Sequence, residues 1–388
     1  MFESLKMPEL RIGNLTARIP IIQGGMGVGI SLSGLAAAVA NEGGIGVISA
    51  TGIGMLEPDF NKNFQEANRR ALRREILNAR QATKGIIGVN ILVALTDYFD
   101  MLETAVEAGA DLVFIGAGLP LRLPDSLLGE GLGKIRTKFI PIVSSGRTAK
   151  LIFQYWQSHF GRIPDGVVVE GPLAGGHLGY KKERLNDPEY RLEKILPEVI
   201  RAVQPYEQKT GTNIPVMAAG GIYTGADIYE YLQMGAAGVQ MATRFVTTDE
   251  CDASKEFKEA YIKCQKEDII IIDSPVGLPG RAIRNRFLDD VALGKKMPYQ
   301  CGWQCLKTCD VNSSPYCICI ALTNAKNGKL DKGFTFAGAN AYRAEKIIPV
   351  KELIENLNGE YARAAAQPVP QKTVAPTLFS AWPGQWRT

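Results

Sequence analysis

Eight short runs of apolar, mostly β-branched residues recur along this chain, and most lead into a glycine-marked turn. They are Ile19–Gln23, Ile45–Ser49, Ile86–Leu92, Leu112–Gly116, Ile140–Ser144, Gly166–Glu170, Ile214–Ala219 and Gly238–Ala242. They are apolar throughout rather than alternating, the pattern of a parallel strand buried on both faces. Helical patterns lie between them. Leu32–Asn41 stops at Gly43–Gly44, Tyr98–Ala108 at Gly109, Thr148–Phe160 at Gly161 and Ala226–Met234 at Gly235. Glycine ends helices because it accepts the left-handed backbone there. Eight strand–helix alternations predict an α/β fold, a closed (β/α)8 TIM barrel. An open doubly wound sheet is the alternative, but it needs a topological switch point that the sequence does not display.

The pattern changes after residue 250. Four segments are expected: a barrel over 1–250, a helix and lid loop over 251–296, a cysteine-rich extension over 297–366, and an extended tail over 367–388 with Trp382 and Trp386. Within them, Cys251–Lys266 reads as a helix, Asp268–Phe287 as irregular, and Val350–Leu357 as a closing helix. Lys plus Arg number 44 against 40 Asp plus Glu. That balance argues against a nucleic-acid partner, which would demand a concentrated basic face. No apolar stretch is long enough for a membrane span, and MFESLKMPELRIG has no apolar signal core. Seven cysteines without such a signal fit a reducing, cytoplasmic setting in which they are thiols or metal ligands.

Barrels of this kind build their active sites from loops at the C-terminal strand ends. Gln23-Gly24-Gly25-Met26-Gly27 follows the first run and lets backbone approach a flat ligand, or simply turns. Asn90 lies towards the end of the third run and needs a polar partner, either a bound ring with amide edges or a water or neighbouring loop. Glu170-Gly171-Pro172-Leu173-Ala174-Gly175-Gly176-His177 follows the sixth. It carries one of only two histidines, placed where an imidazole works as general acid or base. The other, His159, ends a helical pattern and reads as a capping or surface residue. Two histidines rule out a three-His zinc site. Gly220 and Gly221 after the seventh run, and Gln240–Arg244 after the eighth, stand where barrels bind phosphate on backbone N–H groups and a helix start.

Pro20–Gly27, Gly88–Asn90, Gly166–Gly179, Pro215–Gly225 and Gly235–Phe245 together resemble the nitronate monooxygenase family, and also the related flavin-type enoyl-acyl-carrier-protein reductases. The resemblance implies FMN held without a covalent link. Gly24, Gly25 and Met26 would back its ring and Asn90 would meet its polar edge. Gly175, Gly220, Gly221, Gln240, Met241, Ala242 and Thr243 would hold the ribityl phosphate end, with Glu170 and Gly176 on the same loops. His177 matches the family's acid/base histidine. The pattern departs from the family in two places: Glu170 stands where Gln is common and Leu173 where Glu is common. Pro279–Asn285 resembles a family loop covering the flavin, where Arg281 and Arg284 meet an anionic substrate or a nucleotide phosphate, or are surface charges. A small-molecule substrate and a homodimer are expected. Three activities compete: nitronate oxidation, NAD(P)H-dependent enoyl-thioester reduction, and flavin binding or sensing without turnover.

Cys301, Cys305, Cys309, Cys317 and Cys319 fall in a C-x3-C-x3-C-x7-C-x-C array. The paired knuckles favoured by zinc are missing. Four thiolates suit a [4Fe–4S] cluster, with Cys301, Cys305, Cys309 and Cys317 as ligands and Cys319 spare. Zinc, or structural or redox-active thiols, are the alternatives.

Overall fold

The computed structural model describes residues 6–129 and 131–367, so the expected tail lies outside the described residues apart from Gln367. All eight apolar runs form strands: β1 (Ile21–Gln23), β2 (Ile45–Ser49), β3 (Ile86–Leu92), β4 (Leu112–Gly116), β5 (Lys138–Val143), β6 (Val167–Glu170), β7 (Val216–Ala219) and β8 (Gly238–Met241). Each runs parallel to its sequence neighbour, and β8 returns to β1 through Val239 opposite Ile21. That last pairing makes the sheet a closed barrel rather than an open one.

Two apolar layers hold it. The barrel interior is filled by Ile22, Val47, Leu112, Phe114, Ile140, Val168 and Met217, with Leu10 and Ile12 joining the same cluster from an N-terminal hairpin (Leu10–Ile12 and Leu15–Ala17). The second layer lies between strands and surrounding helices, and includes Trp156, Phe153, Leu196 and Val199. Two strand glycines follow from this packing. A methyl on Gly46 would collide with the backbone of Ala36 in the helix Ser33–Asn41, and one on Gly88 would meet the Phe114 ring at 2.8 Å.

The chain after the barrel departs from expectation in one important place. Asp268–Phe287, read from its Pro, Gly and Arg content as irregular, contains an antiparallel hairpin of Ile269–Asp273 and Pro279–Ile283. The four consecutive isoleucines carry the strand propensity that this composition obscured. The turn is closed by Gly277, at φ +83°, donating its N–H to the Ser274 carbonyl. The helix expected over Cys251–Lys266 is shorter, Lys255–Lys263, because Ser254 caps its start. The closing helix is longer, Val350–Ala366, and packs on the helix Gly225–Gln233. No helix among the described residues is long and apolar enough to cross a membrane.

Candidate active site at the barrel mouth

The loop after β6 does not end at a simple turn. Gly176–His177 forms a two-residue strand that pairs with the lid hairpin, Gly280 opposite His177 and Arg281 opposite Gly176. His177 is thereby clamped by backbone on one side. Its Nε2 lies 2.8 Å from Ser274 Oγ, and the Phe336 ring meets it edge-on with centroids 5.0 Å apart. Burial pushes its pKa down to about 4, so the imidazole is neutral at pH 7. His159 sits elsewhere. It is exposed at the end of the helix Gly146–Phe160 and stacked on Tyr155 at 3.8 Å.

Glu170 ends β6 directly below this loop, opposite Ala219 of β7. Its backbone carbonyl accepts a hydrogen bond from the Tyr180 hydroxyl. Burial raises its carboxyl to about 7. At neutral pH it is therefore part protonated, and in that form it donates a hydrogen bond as an amide would.

The other expected residues gather around the same opening. Gly24 donates its backbone N–H to the Met241 carbonyl and faces Ala242 and Gln240, so the β1 and β8 ends abut. Gly25 lies so close to Asn90 that a methyl there would stand 2.4 Å from its Cβ. Met26 is fixed by exchange of hydrogen bonds with Ser31. Beside them, Ser49 Oγ and Thr51 Oγ1 are buried without a hydrogen-bond partner. Gly220 and Gly221 adopt φ +93° and +88°, where a side chain would strain the backbone and strike Gly171 or Leu173. Thr243 opens a short helix, and its Oγ1 accepts the Gly338 N–H at 2.9 Å.

Residues the sequence did not flag complete the rim. The chain from Thr335 to Asn340 runs along the hairpin and over the loops after β6, β7 and β8. Thr335 and Ala337 bond to Ile283 and Arg281, Ala339 to the Leu173 carbonyl, and Asn340 Nδ2 to the Gly221 carbonyl. A methyl on Gly175 would touch its backbone at 2.6 Å. Ser274, Phe336 and Asn340 carry no local motif and reach the site only through tertiary pairing. The two arginines divide. Arg281 is buried, with Nη1 donating to the Pro172 and Ala174 carbonyls at 2.6 Å each, so it holds the histidine loop in shape rather than facing an anion. Arg284 pairs with Asp289 on the surface.

The cysteine segment runs across the loop after β3. Thr96 donates to the Cys305 carbonyl, Lys307 to the Ala94 carbonyl, and Leu95 bridges Leu306. Cys301, Cys305, Cys309 and Cys317 do not assemble as the expected ligand set. Among the described residues no three His, Cys, Asp or Glu side chains are placed to hold a metal ion. Cys317 caps the helix Ile318–Lys326 and Cys319 lies inside it. The close contact is instead between Cys305 and Cys319, the residue expected to be spare, with sulfurs 3.4 Å apart.

The chain shares 26% identity over 277 residues with a carboxyl-CoA dehydrogenase of Mycobacterium tuberculosis, (3aS,4S,5R,7aS)-5-hydroxy-7a-methyl-1-oxo-octahydro-1H-indene-4-carboxyl-CoA dehydrogenase, covering 71% of this chain and 66% of that relative. It shares 25% identity over 321 residues with a probable nitronate monooxygenase of Staphylococcus saprophyticus, covering 73% of this chain and 81% of the relative. The solved structure of FabK from Thermotoga maritima superposes with a TM-score of 0.68 at 28% identity, over 89% of this chain and 93% of that one. The nitronate monooxygenase family model matches residues 9–112 and 102–360, nearly the whole described chain. The chain belongs to the nitronate monooxygenase family and is a flavin-type oxidoreductase.

Proposed function

We propose that the protein is an FMN-dependent oxidoreductase of the nitronate monooxygenase type, acting on a small substrate with an acidic carbon, with His177 as its acid/base. The observation that carries this reading is a neutral, immobilised imidazole at the C-terminal mouth of the barrel.

The residues at the mouth suit a flavin. Gly24 and Gly25 offer bare backbone, Ser49 Oγ and Thr51 Oγ1 are buried without partners, and the Glu170 carboxyl can donate or accept. Gly24, Gly25, Met26, Asn90 and Glu170 would hold the ring. Gly175, Gly176, Gly220, Gly221, Gln240, Met241, Ala242 and Thr243 would hold the ribityl phosphate end. Bound FMN would supply the hydride-level redox chemistry at the substrate.

The chain's own part is positioning and proton transfer. Nδ1 of His177 has no hydrogen bond among the described residues, so it is the nitrogen open to a substrate. The Ser274 hydroxyl decides which tautomer that nitrogen presents. When Oγ accepts from Nε2–H, Nδ1 is a base; when it donates, Nδ1–H is an acid. Phe336 and the lid hairpin exclude water from one face of the ring.

Enoyl-thioester reduction with NAD(P)H is the second reading, favoured by the likeness to a protein named for a CoA thioester substrate and to FabK. A single experiment separates the two. FMN-loaded protein is mixed under argon with NADH, NADPH or propyl-2-nitronate while flavin absorbance is followed. Loss of absorbance with the nitronate alone supports the leading reading. Fast loss with a nicotinamide replaces it with the reductase.

A further inference from the structure

We infer that Cys305 and Cys319 are a redox-active dithiol that closes to a disulfide on reaction with a low-molecular-weight disulfide. Nothing in the flavin chemistry uses these residues, and the inference does not depend on it.

Geometry carries it. The two sulfurs lie 3.4 Å apart with no atom between them, while the residues are 14 positions apart on different elements. Cys319 is buried within the helix Ile318–Lys326, and Cys305 is half-buried on the loop outside it. An incoming disulfide therefore meets Cys305 first and Cys319 second. The loop bearing Cys305 is built to hold that sulfur in place. Gln304 takes a left-handed backbone, φ +42°, and donates its N–H to Cys301 Sγ, while the Cys305 carbonyl is bound by Thr96. A left-handed non-glycine residue persists where its surroundings impose it.

The steps balance with glutathione disulfide as oxidant. The Cys305 thiolate attacks one sulfur of glutathione disulfide, forming a mixed disulfide and releasing one glutathione thiolate, which takes up a proton. Cys319 then loses its proton to solvent and attacks Cys305 Sγ, forming the internal disulfide and releasing the second glutathione. Two protein thiols are oxidised and one glutathione disulfide is reduced to two thiols. The new bond ties the strap over the β3 loop to the helix Ile318–Lys326. That helix reaches the other side of the mouth through Thr323 on Met55 and the Lys326 carbonyl bound by Ser254. Oxidation thus fixes a segment lying against the loop that follows Asn90.

The test is intact mass spectrometry and peptide mapping of the full chain after exposure to glutathione disulfide. The expected result is a loss of two hydrogens per chain, no retained glutathione, and a peptide pair linking Cys305 to Cys319. Cys319→Ser should then trap one glutathione on Cys305, and Cys305→Ser should abolish the cross-link. Should either variant fail to fold, the wild-type peptide map decides alone. A wild-type chain that keeps glutathione, a cross-link between other cysteines, or iron that must be stripped before Cys305 reacts would each overturn the proposal.

Discussion

The barrel mouth and the cysteine segment both gather reactive side chains at one end of the same barrel, but they are assembled differently. At the mouth most of the expected residues sit near or just beyond a strand end, and for those on strands the ladder sets their neighbours. Glu170 lies opposite Ala219, and Ala219 opposite Gln240. In the cysteine segment no ladder exists, and the contacts depend on the path of one loop. Spacing foretold that cysteines would crowd together, but not which two would touch. Regular structure turns sequence position into spatial position, whereas irregular structure does not.

Substitutions sharpen that contrast. The largest effect is expected for His177→Ala, which should keep FMN yet slow turnover by roughly 10²–10⁴-fold. An unchanged rate would move the chemistry away from the mouth. Next comes Arg281→Met, which leaves the carbonyls of Pro172 and Ala174 buried without their donor. It should cost about 3 kcal/mol in urea unfolding, with activity falling as the histidine loop loosens. Ser274→Ala should lower kcat by about 10-fold with KM little changed, and Ser274→Thr should restore most of it. Recovery by Thr separates tautomer control from simple packing.

The pH dependence is smaller and tests the electrostatics. Burial depresses the folded pKa of His177 from 6.5 to about 4. The unfolded chain thus binds the extra proton between those values, and stability from this group is present above 6.5 and lost as pH falls through 4. His177→Gln should flatten that part of the acid limb in thermal melts. Glu170 has the opposite sign, since its pKa is raised from 4.5 to about 7. The neutral carboxyl costs nothing below 4.5, and the buried charge costs progressively more as pH rises to 7. Glu170→Gln should remove that loss and make FMN affinity insensitive to pH between 6 and 8, about the mildest change of the set.

The barrel was legible because buried parallel strands impose apolar, β-branched runs, and glycine turns mark their ends. The histidine loop was legible because one of two histidines followed such a run. The lid was not. Its hairpin is coded by Ile269–Ile272, but Pro275, Gly277 and Pro279 beside them signal irregular chain. Ser274, Phe336 and Asn340 escaped notice because they join the site only by pairing across about 100 or more positions, a distance no local pattern encodes. Arg281 was misread in part for a related reason. A positive charge suggests an anion until the carbonyls that satisfy it are located.

Titration of the apoprotein with FMN, followed by flavin fluorescence, tests the central claim most directly. One equivalent should bind to the wild-type chain. Gly220→Val, which forces a side chain into a left-handed position 2.7 Å from the Gly171 carbonyl, should bind at least tenfold more weakly while remaining folded. A wild-type chain that takes up no flavin, or a Gly220→Val protein that binds it equally well, would contradict a flavin site at the barrel mouth.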